Sequence, residues 1–228
     1  MARSTRTLFL DANVLAAPVT RTLLLVGVEA IEAVATWSKH AEEEANKHLR
    51  SRDMSVTDLR TTILESDLSP TGENPARFVG TTGADRQILA DAAAADAAFL
   101  ITTDVDDFGE VDLVTAKIAA VNPDLFMALR FTDAAYQRAL SQLVASLTHP
   151  PKSLTEMHAL IGRKHPRLHE RFADLYGETA LAAKSESEPR VLYRGARCLI
   201  CGRPVSDAGS RSPGCHPACL TKIRPVVR

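Results

Sequence analysis

Four carboxylates and a cysteine-rich tail hold the chemistry open to this sequence. Asp11 follows the apolar run Leu8-Phe9-Leu10, and Asp104 follows Phe99-Leu100-Ile101-Thr102-Thr103. Glu44 ends a row of three glutamates, and Asp85 opens the segment Asp85-Arg86-Gln87-Ile88-Leu89-Ala90. Each alone has an ordinary structural reading: Asp11 and Asp104 in turns, Asp85 as a helix cap, Glu44 at a surface. Brought together, carboxylates raise one another's pKa, and such a group is expected to hold Mg²⁺ or Mn²⁺. One or two such ions lower the pKa of a bound water and stabilise both oxygens of an in-line phosphodiester displacement. Asn13, two residues after Asp11, can hold that carboxylate by a hydrogen bond.

The carboxylates need elements that converge. Leu8 to Leu10 is a short continuous apolar run, the pattern of a strand buried on both faces of a parallel sheet. In open α/β sheets ligands sit beyond the carboxyl ends of the strands, which is where Asp11 stands. Ala17-Pro18 opens a helix, Val34 to Trp37 reads as a second strand, and Ser38 caps a helix running to about Leu49. The apolar stripe of that helix is Ala41, Ala45 and Leu49. Glu44 is expected on its flank, facing a core edge, while Glu43 belongs to the solvated face. Residues 51–80 read as one or two polar helices with breaks at Pro70, Gly72 and Pro75. Asp85 starts a helix reaching about Ala97, and Phe99–Thr102 and Lys117–Val121 are further strands. Asn122-Pro123-Asp124 starts a helix, residues 132–147 form an amphipathic one, and Leu154–Arg163 and Leu168–Ala183 follow after Pro150-Pro151.

All four cysteines fall near the end of the chain, as Cys198-x₂-Cys201 followed by Cys215 and Cys219. Gly202 permits the tight turn that brings two thiolates to one ion. The preferred zinc set is Cys198, Cys201, His216 and Cys219, with Cys215 in place of His216 as the all-thiolate alternative. Ser185-Glu186-Ser187-Glu188-Pro189 is a linker by composition. The tail resembles treble-clef or zinc-ribbon modules in general form, and a structural zinc supplies stability that so small a unit lacks.

Net charge near zero conceals an asymmetry: residues 1–150 carry 13 Lys and Arg against 21 Asp and Glu, and residues 185–228 carry 8 against 3. An acidic body with a basic tail points to cations in the body and an anionic partner at the tail. The tail arginines Arg194, Arg197, Arg203 and Arg211 are candidates for nucleic-acid contact, as are Arg21 and Arg86 near the acids. No run suits a membrane span, and the first apolar run stops at Asp11, unlike a signal peptide. A cytoplasmic protein is expected, with cysteines as metal ligands rather than disulfides. Gly-rich phosphate loops and Ser/His/Asp or Cys/His pairings are absent. His40, His48, His149, His158, His165 and His169 read as solvated residues. Aromatic residues are few, so base stacking is not the expected mode of substrate binding.

The order Phe9-Leu10-Asp11-Ala12-Asn13-Val14-Leu15, Trp37-Ser38 with Glu44, Asp85 with Ile88-Leu89-Ala90, and Thr102-Thr103-Asp104 with Asp107-Phe108 resembles PIN-domain ribonucleases. The subgroup with VapC-type toxins is the most similar, through Pro150-Pro151-Lys152-Ser153-Leu154 in a helical extension. The resemblance covers roughly Thr7 to Gly177. It implies an α/β fold of three layers, α/β/α, with a parallel sheet, and Mg²⁺- or Mn²⁺-dependent endoribonuclease activity. It further implies metal binding by Asp11, Glu44, Asp85 and Asp104, with Asp107 standing behind them. RNA is then the substrate, with an antitoxin protein and a second copy of the chain as partners. The layout expected is a nuclease-like domain at 1–130, a helical extension at 131–184, a linker at 185–196 and a zinc module at 197–228. The toxins usually lack such a tail. The rival readings are a non-catalytic nucleic-acid-binding adaptor acting through the zinc module, and a phosphatase or DNA structure-specific nuclease using the same acids.

Overall fold

The first apolar run is a strand, β1 (Arg6–Leu10), with Leu8, Phe9 and Leu10 all buried. The computed structural model describes residues 6–146, 151–177, 191–195, 197–205 and 219. His149, Pro150, the expected helical residues 178–183, the 185–189 linker, Arg211, Cys215 and His216 lie outside the described residues. After β1 come a single turn, α1 (Ala12–Leu15), and α2 (Pro18–Glu29), which begins on the proline. Strand β2 (Ala33–Thr36) lies one residue earlier than the pattern predicts, and α3 (Lys39–His48) is capped by the Ser38 hydroxyl as expected.

The polar stretch 51–80 is less helical than its composition suggests. It holds α4 (Val56–Asp58), which continues as a π-helical turn at Leu59–Leu64, and a 3₁₀ turn at Pro75–Arg77. Then follow α5 (Asp85–Ala94), β3 (Phe99–Ile101), α6 (Glu110–Ala116), β4 (Ala119–Val121) and α7 (Pro123–Arg130). The chain continues through α8 (Asp133–Ser146), α9 (Leu154–Ile161) and α10 (Pro166–Arg171) to β5 (Tyr193–Gly195), which precedes the described cysteine residues. A reciprocal cap between Ser153 and Glu156 starts α9.

The fold is mixed α/β around one five-stranded sheet of order β2-β1-β3-β4-β5. The first four strands are parallel, and β5 runs antiparallel to β4. Burial of every residue of β3 and β4 explains why they read as unbroken apolar runs. The helices sort by contact into two groups, α2 with α7 and α8, and α3 with α5 and α6. Close packing in the first group requires Gly27 in the last turn of α2: a Cβ there would sit 2.2 Å from Cζ of Phe131. In the helical extension the ring of Tyr136 stacks on Phe172 at 4.4 Å and joins α8 to the end of α10. Among the described residues no helix is long and apolar enough to cross a membrane.

Two features decide where a site forms. The chain leaves β1 for β2 on one side and returns past it to β3 on the other, so the carboxyl ends of β1 and β3 border a topological switch point. The second is β5, whose residues fall within the expected 185–196 linker. Tyr193 pairs with Val121 and Gly195 with Ala119, and the Asn122 N–H donates to the Leu192 carbonyl at 2.9 Å. The segment before the cysteines therefore covers an edge that β4 would otherwise leave open.

Candidate metal centres

Asp11 sits at the switch point. Its N–H donates to the Ile101 carbonyl at 3.1 Å, carrying the β1–β3 ladder one residue past the strand, and its side chain caps α1. Oδ1 accepts from the Ala12 N–H at 2.6 Å, and Oδ2 accepts from the Thr102 hydroxyl at 2.7 Å and from Asn13 Nδ2 at 2.9 Å. The same Asn13 amide nitrogen lies 3.0 Å from Asp104 Oδ2 and 3.0 Å from Thr102 Oγ1. Two hydrogens thus serve three acceptors. On its other side Asn13 Oδ1 accepts the Thr103 N–H at 3.2 Å, so this residue fastens the exit of β1 to the exit of β3.

Thr102 is the member that sequence reasoning missed. Its hydroxyl is buried, donates to Asp11 and accepts from the Asp104 N–H at 3.1 Å. A hydroxyl ending an otherwise apolar strand was the available signal.

Only 5% of the Asp11 surface is exposed, and that burial pushes its carboxyl up to about 6. The hydrogen bonds from Thr102 and Ala12 pull the other way, and the charges of Asp85 and Asp104 push it further up. Asp85, the first residue of α5, is also raised, by burial first and then by Asp107 and Asp104, against a hydrogen bond with Thr82. Asp11, Asn13 and Asp104 are thus joined by hydrogen bonds, Asp85 acts electrostatically on Asp11 and feels Asp104, and Asp107 acts on Asp85. The carboxylates remain looser than a closed cage. Among the described residues, the only group of three or more His, Cys, Asp or Glu ligand atoms all within 4.8 Å of one another is the cysteine cluster.

Glu44 behaves otherwise. Its carboxylate turns back along its own helix, accepting from Lys47 at 2.7 Å and pairing with His48 at 3.0 Å. The acid that faces the core is Glu42, 5% exposed, whose oxygens accept from Trp37 Nε1 at 3.0 Å, Thr57 Oγ1 at 2.8 Å and Arg60 Nε at 2.8 Å. The reason is helical phase. With Ala41, Ala45 and Leu49 as the stripe, a step of about 100° per residue puts Glu42 about 60° from its centre and Glu44 about 100° away. Burial acts to raise the Glu42 carboxyl, but Arg60, Trp37 and Thr57 together hold it below its ordinary value.

Several cations and histidines also differ from expectation. Arg21 is buried, donating from Nη1 to the Leu15 carbonyl at 3.0 Å and from Nη2 to that of Met54 at 3.1 Å. It ties α1 to the chain before α4 and offers nothing to a nucleic acid. Arg86 is half-buried, with Nε on the Thr81 carbonyl at 2.7 Å, whereas Arg203 is exposed. His158 and His165 are not solvated. His158 Nδ1 lies 2.7 Å from the Tyr136 hydroxyl, and His165 Nε2 lies 2.9 Å from Thr20 Oγ1, because α9 and α10 bury these rings against α8 and α2. Burial, with Lys164 beside it, pushes the His165 imidazole down to about 4.

The second centre is made by Cys198, Cys201 and Cys219, whose sulfurs lie within 4.8 Å of one another. A tetrahedral zinc with bonds of ~2.3 Å spaces its sulfurs ~3.8 Å apart, so three thiolates so placed can hold a metal such as zinc. Gly202 adopts φ +68°, donates to the Cys198 carbonyl at 2.7 Å and closes the turn, and the Cys198 N–H returns to the Arg203 carbonyl at 2.8 Å. The body holds this turn through Arg6, whose Nη2 donates to the Cys201 carbonyl at 2.6 Å, and through Arg130, which donates to that of Ile200. Burial and Arg6 lower the Arg130 guanidinium to about 10, against the pull of Cys198 and Cys201. Burial, then hydrogen bonding with Cys201 and Cys198, raises the Cys219 thiol to about 11. Both candidates for a fourth ligand, His216 and Cys215, lie outside the described residues.

Compared with family models, curated proteins and solved structures, the chain matches none.

Proposed function

We propose that this protein is a divalent-metal-dependent endoribonuclease of the PIN kind, carrying a structural zinc knuckle at its C-terminal end. One observation carries the reading: at a switch point of a parallel sheet, Asn13 and Thr102 hold the Asp11 and Asp104 carboxylates together while burial leaves Asp11 uncompensated. Such a set of hard oxygen donors fits Mg²⁺ or Mn²⁺. Asp11, Asp104 and Asp85 would hold the ion, with Asp107 adding negative charge and Glu44 joining only by letting go of Lys47 and His48. When bound, the ion lowers the pKa of a water and neutralises charge on the phosphoryl oxygens. The chain's own contribution is orientation. Thr102 and the Ala12 N–H fix both Asp11 oxygens, and Asn13 keeps the two exit loops at one spacing. Zinc would be held by Cys198, Cys201 and Cys219, with His216 or Cys215 completing the set.

The test is Asp11→Asn in the zinc-loaded full chain, assayed on a single-stranded RNA, a single-stranded DNA and a small phosphodiester with Mg²⁺ or Mn²⁺. The parent should cut RNA and the variant should not. Equal cleavage by both proteins would overturn the assignment, and a parent that prefers DNA or the small ester would move it to the corresponding activity.

A further inference from the structure

A groove of about 920 Å³ begins at Asn13 and runs between the α1–α2 turn, the segment after α3, and α9. Asn13 is the residue that bridges Asp11 and Asp104, so the groove adjoins the acidic centre through Asn13, though none of the centre's carboxylates lines it. Its floor is apolar, with Ala16, Val19 and Leu160 among its residues, but its walls carry Arg50, Arg52, Lys152 and Lys164 against one carboxylate, Asp53. Among the described residues those four cations make no ion pair. His48 also reaches the wall, through its pairing with Glu44. In a body where acids outnumber bases, four cations converging beside Asn13 form a local exception, and of these Lys152 acts on a nearby carboxylate, that of Glu156.

We infer that this groove binds the sugar–phosphate backbone of a single RNA strand, seating the phosphates next to the one presented to Asp11 and Asp104. The inference rests on the nuclease reading, since it supplies that site with its substrate track. The charge pattern is what a polyanion requires: repeated negative groups against the cationic walls, with sugar and base faces over the apolar floor. Lys164 also lines a second cavity that meets Asn13, of about 320 Å³, so this cation is shared by both cavities at the residue that bridges the acids. An acidic peptide would satisfy the walls equally. It has no phosphodiester to bring to the metal-binding acids, and continuity with them favours the nucleic acid.

The experiment measures binding of a fluorescein-labelled single-stranded 12-nucleotide RNA in Mg²⁺ to the zinc-loaded full chain carrying Asp11→Asn, which keeps the probe intact. Onto it are placed Arg50→Ala with Arg52→Ala, or Lys164→Ala, all exposed positions; Arg77→Ala serves as a control away from the groove. The double change should weaken binding about tenfold or more near 0.1 M salt. It should also make the plot of log affinity against log salt shallower by about 1.4, two phosphate contacts at about 0.7 each. Lys164→Ala should move both in the same direction, and Arg77→Ala neither. Unchanged affinity and slope would overturn the inference, as would no measurable binding by any form. Loss of poly-glutamate binding with RNA binding intact would overturn it in favour of an acidic protein partner. Failure of the nuclease reading shows separately, as RNA cleavage that survives Asp11→Asn.

Discussion

Asp11→Asn should stabilise the protein it disables. In the folded, metal-free chain the Asp11 carboxyl is raised from 3.8 to about 6, so at neutral pH it is ionised against an opposing environment. A shift of about two units at about 1.4 kcal/mol each is worth about 3 kcal/mol of stability, withheld at pH 7.5. The sign follows from proton binding. Between pH 4 and 6 the folded state holds more protons than the unfolded one, so this contribution is present at low pH and lost as pH rises through 6. Asparagine removes that loss but not without cost. Both Asp11 oxygens accept hydrogen bonds, and an amide can replace only one of them, so one bond of about 1 kcal/mol disappears. The variant should therefore equal the parent near pH 4.5 and exceed it by about 2 kcal/mol at pH 7.5. The assay is urea unfolding at both pH values in buffer free of added divalent ions, without a chelator that would strip zinc. Adding Mg²⁺ should raise the parent's midpoint more than the variant's and close the gap. A variant less stable than its parent at pH 7.5, or a difference that does not change with pH, would refute the claim that Asp11 is held uncompensated.

Three further outcomes test other parts of the structure. His165 is lowered from 6.5 to about 4, so its neutral burial adds stability that is fully present above pH 6.5 and lost as pH falls toward 4. His165→Gln should remove that rise from a stability profile measured across this window. Cys219→Ser should abolish binding of one zinc per chain, measured by metal analysis after gel filtration, and lower the melting temperature of the full chain. Glu42→Ala strands Arg60 and the Trp37 N–H and should cost about 3 kcal/mol in urea unfolding, whereas Glu44→Ala should leave the midpoint unchanged.

What the sequence made legible is what periodicity and burial control. Strands β1, β3 and β4 are buried on both faces, so their patterns are continuous and their exits sharp, and Asp11 and Asp104 fall at two of those exits. Strand β5 is legible only through its partner. It has three half-buried residues, one of them a glycine at φ +126°, and its ladder with β4 is a contact across more than 70 positions. Glu42 and Glu44 differ by a phase that the stripe Ala41, Ala45 and Leu49 already fixes in favour of Glu42, so the buried acid is legible and the expectation of Glu44 misjudges its side of the stripe. Arg21, His158 and His165 escape any local reading, because a charged or polar residue is buried only where distant carbonyls and hydroxyls come to meet it.

The same logic alters the meaning of the charge asymmetry. A count of residues assigns the tail a surplus of positive charge for an anionic partner, yet two of its arginines already have partners within the chain. Arg194 pairs with Asp106 at 3.0 Å and reaches the Asp106 and Phe108 carbonyls at 3.3 Å each. Arg197 donates to the Lys117 and Gly202 carbonyls. The Arg194 bonds pin the turn Val105–Asp107, which follows Asp104 and contains Asp107, to the strand that leads into the cysteine cluster. A freely tethered adaptor would keep its arginines for its target, whereas here Arg194 is used on the loop beside the acidic centre and Arg197 on the chain itself. Among the described residues, four cations that make no ion pair stand along the groove at Asn13, in the part of the chain that composition describes as acidic. On the nuclease reading proposed above, the described part of the tail braces the acidic loop and the groove at Asn13 supplies the nucleic-acid surface.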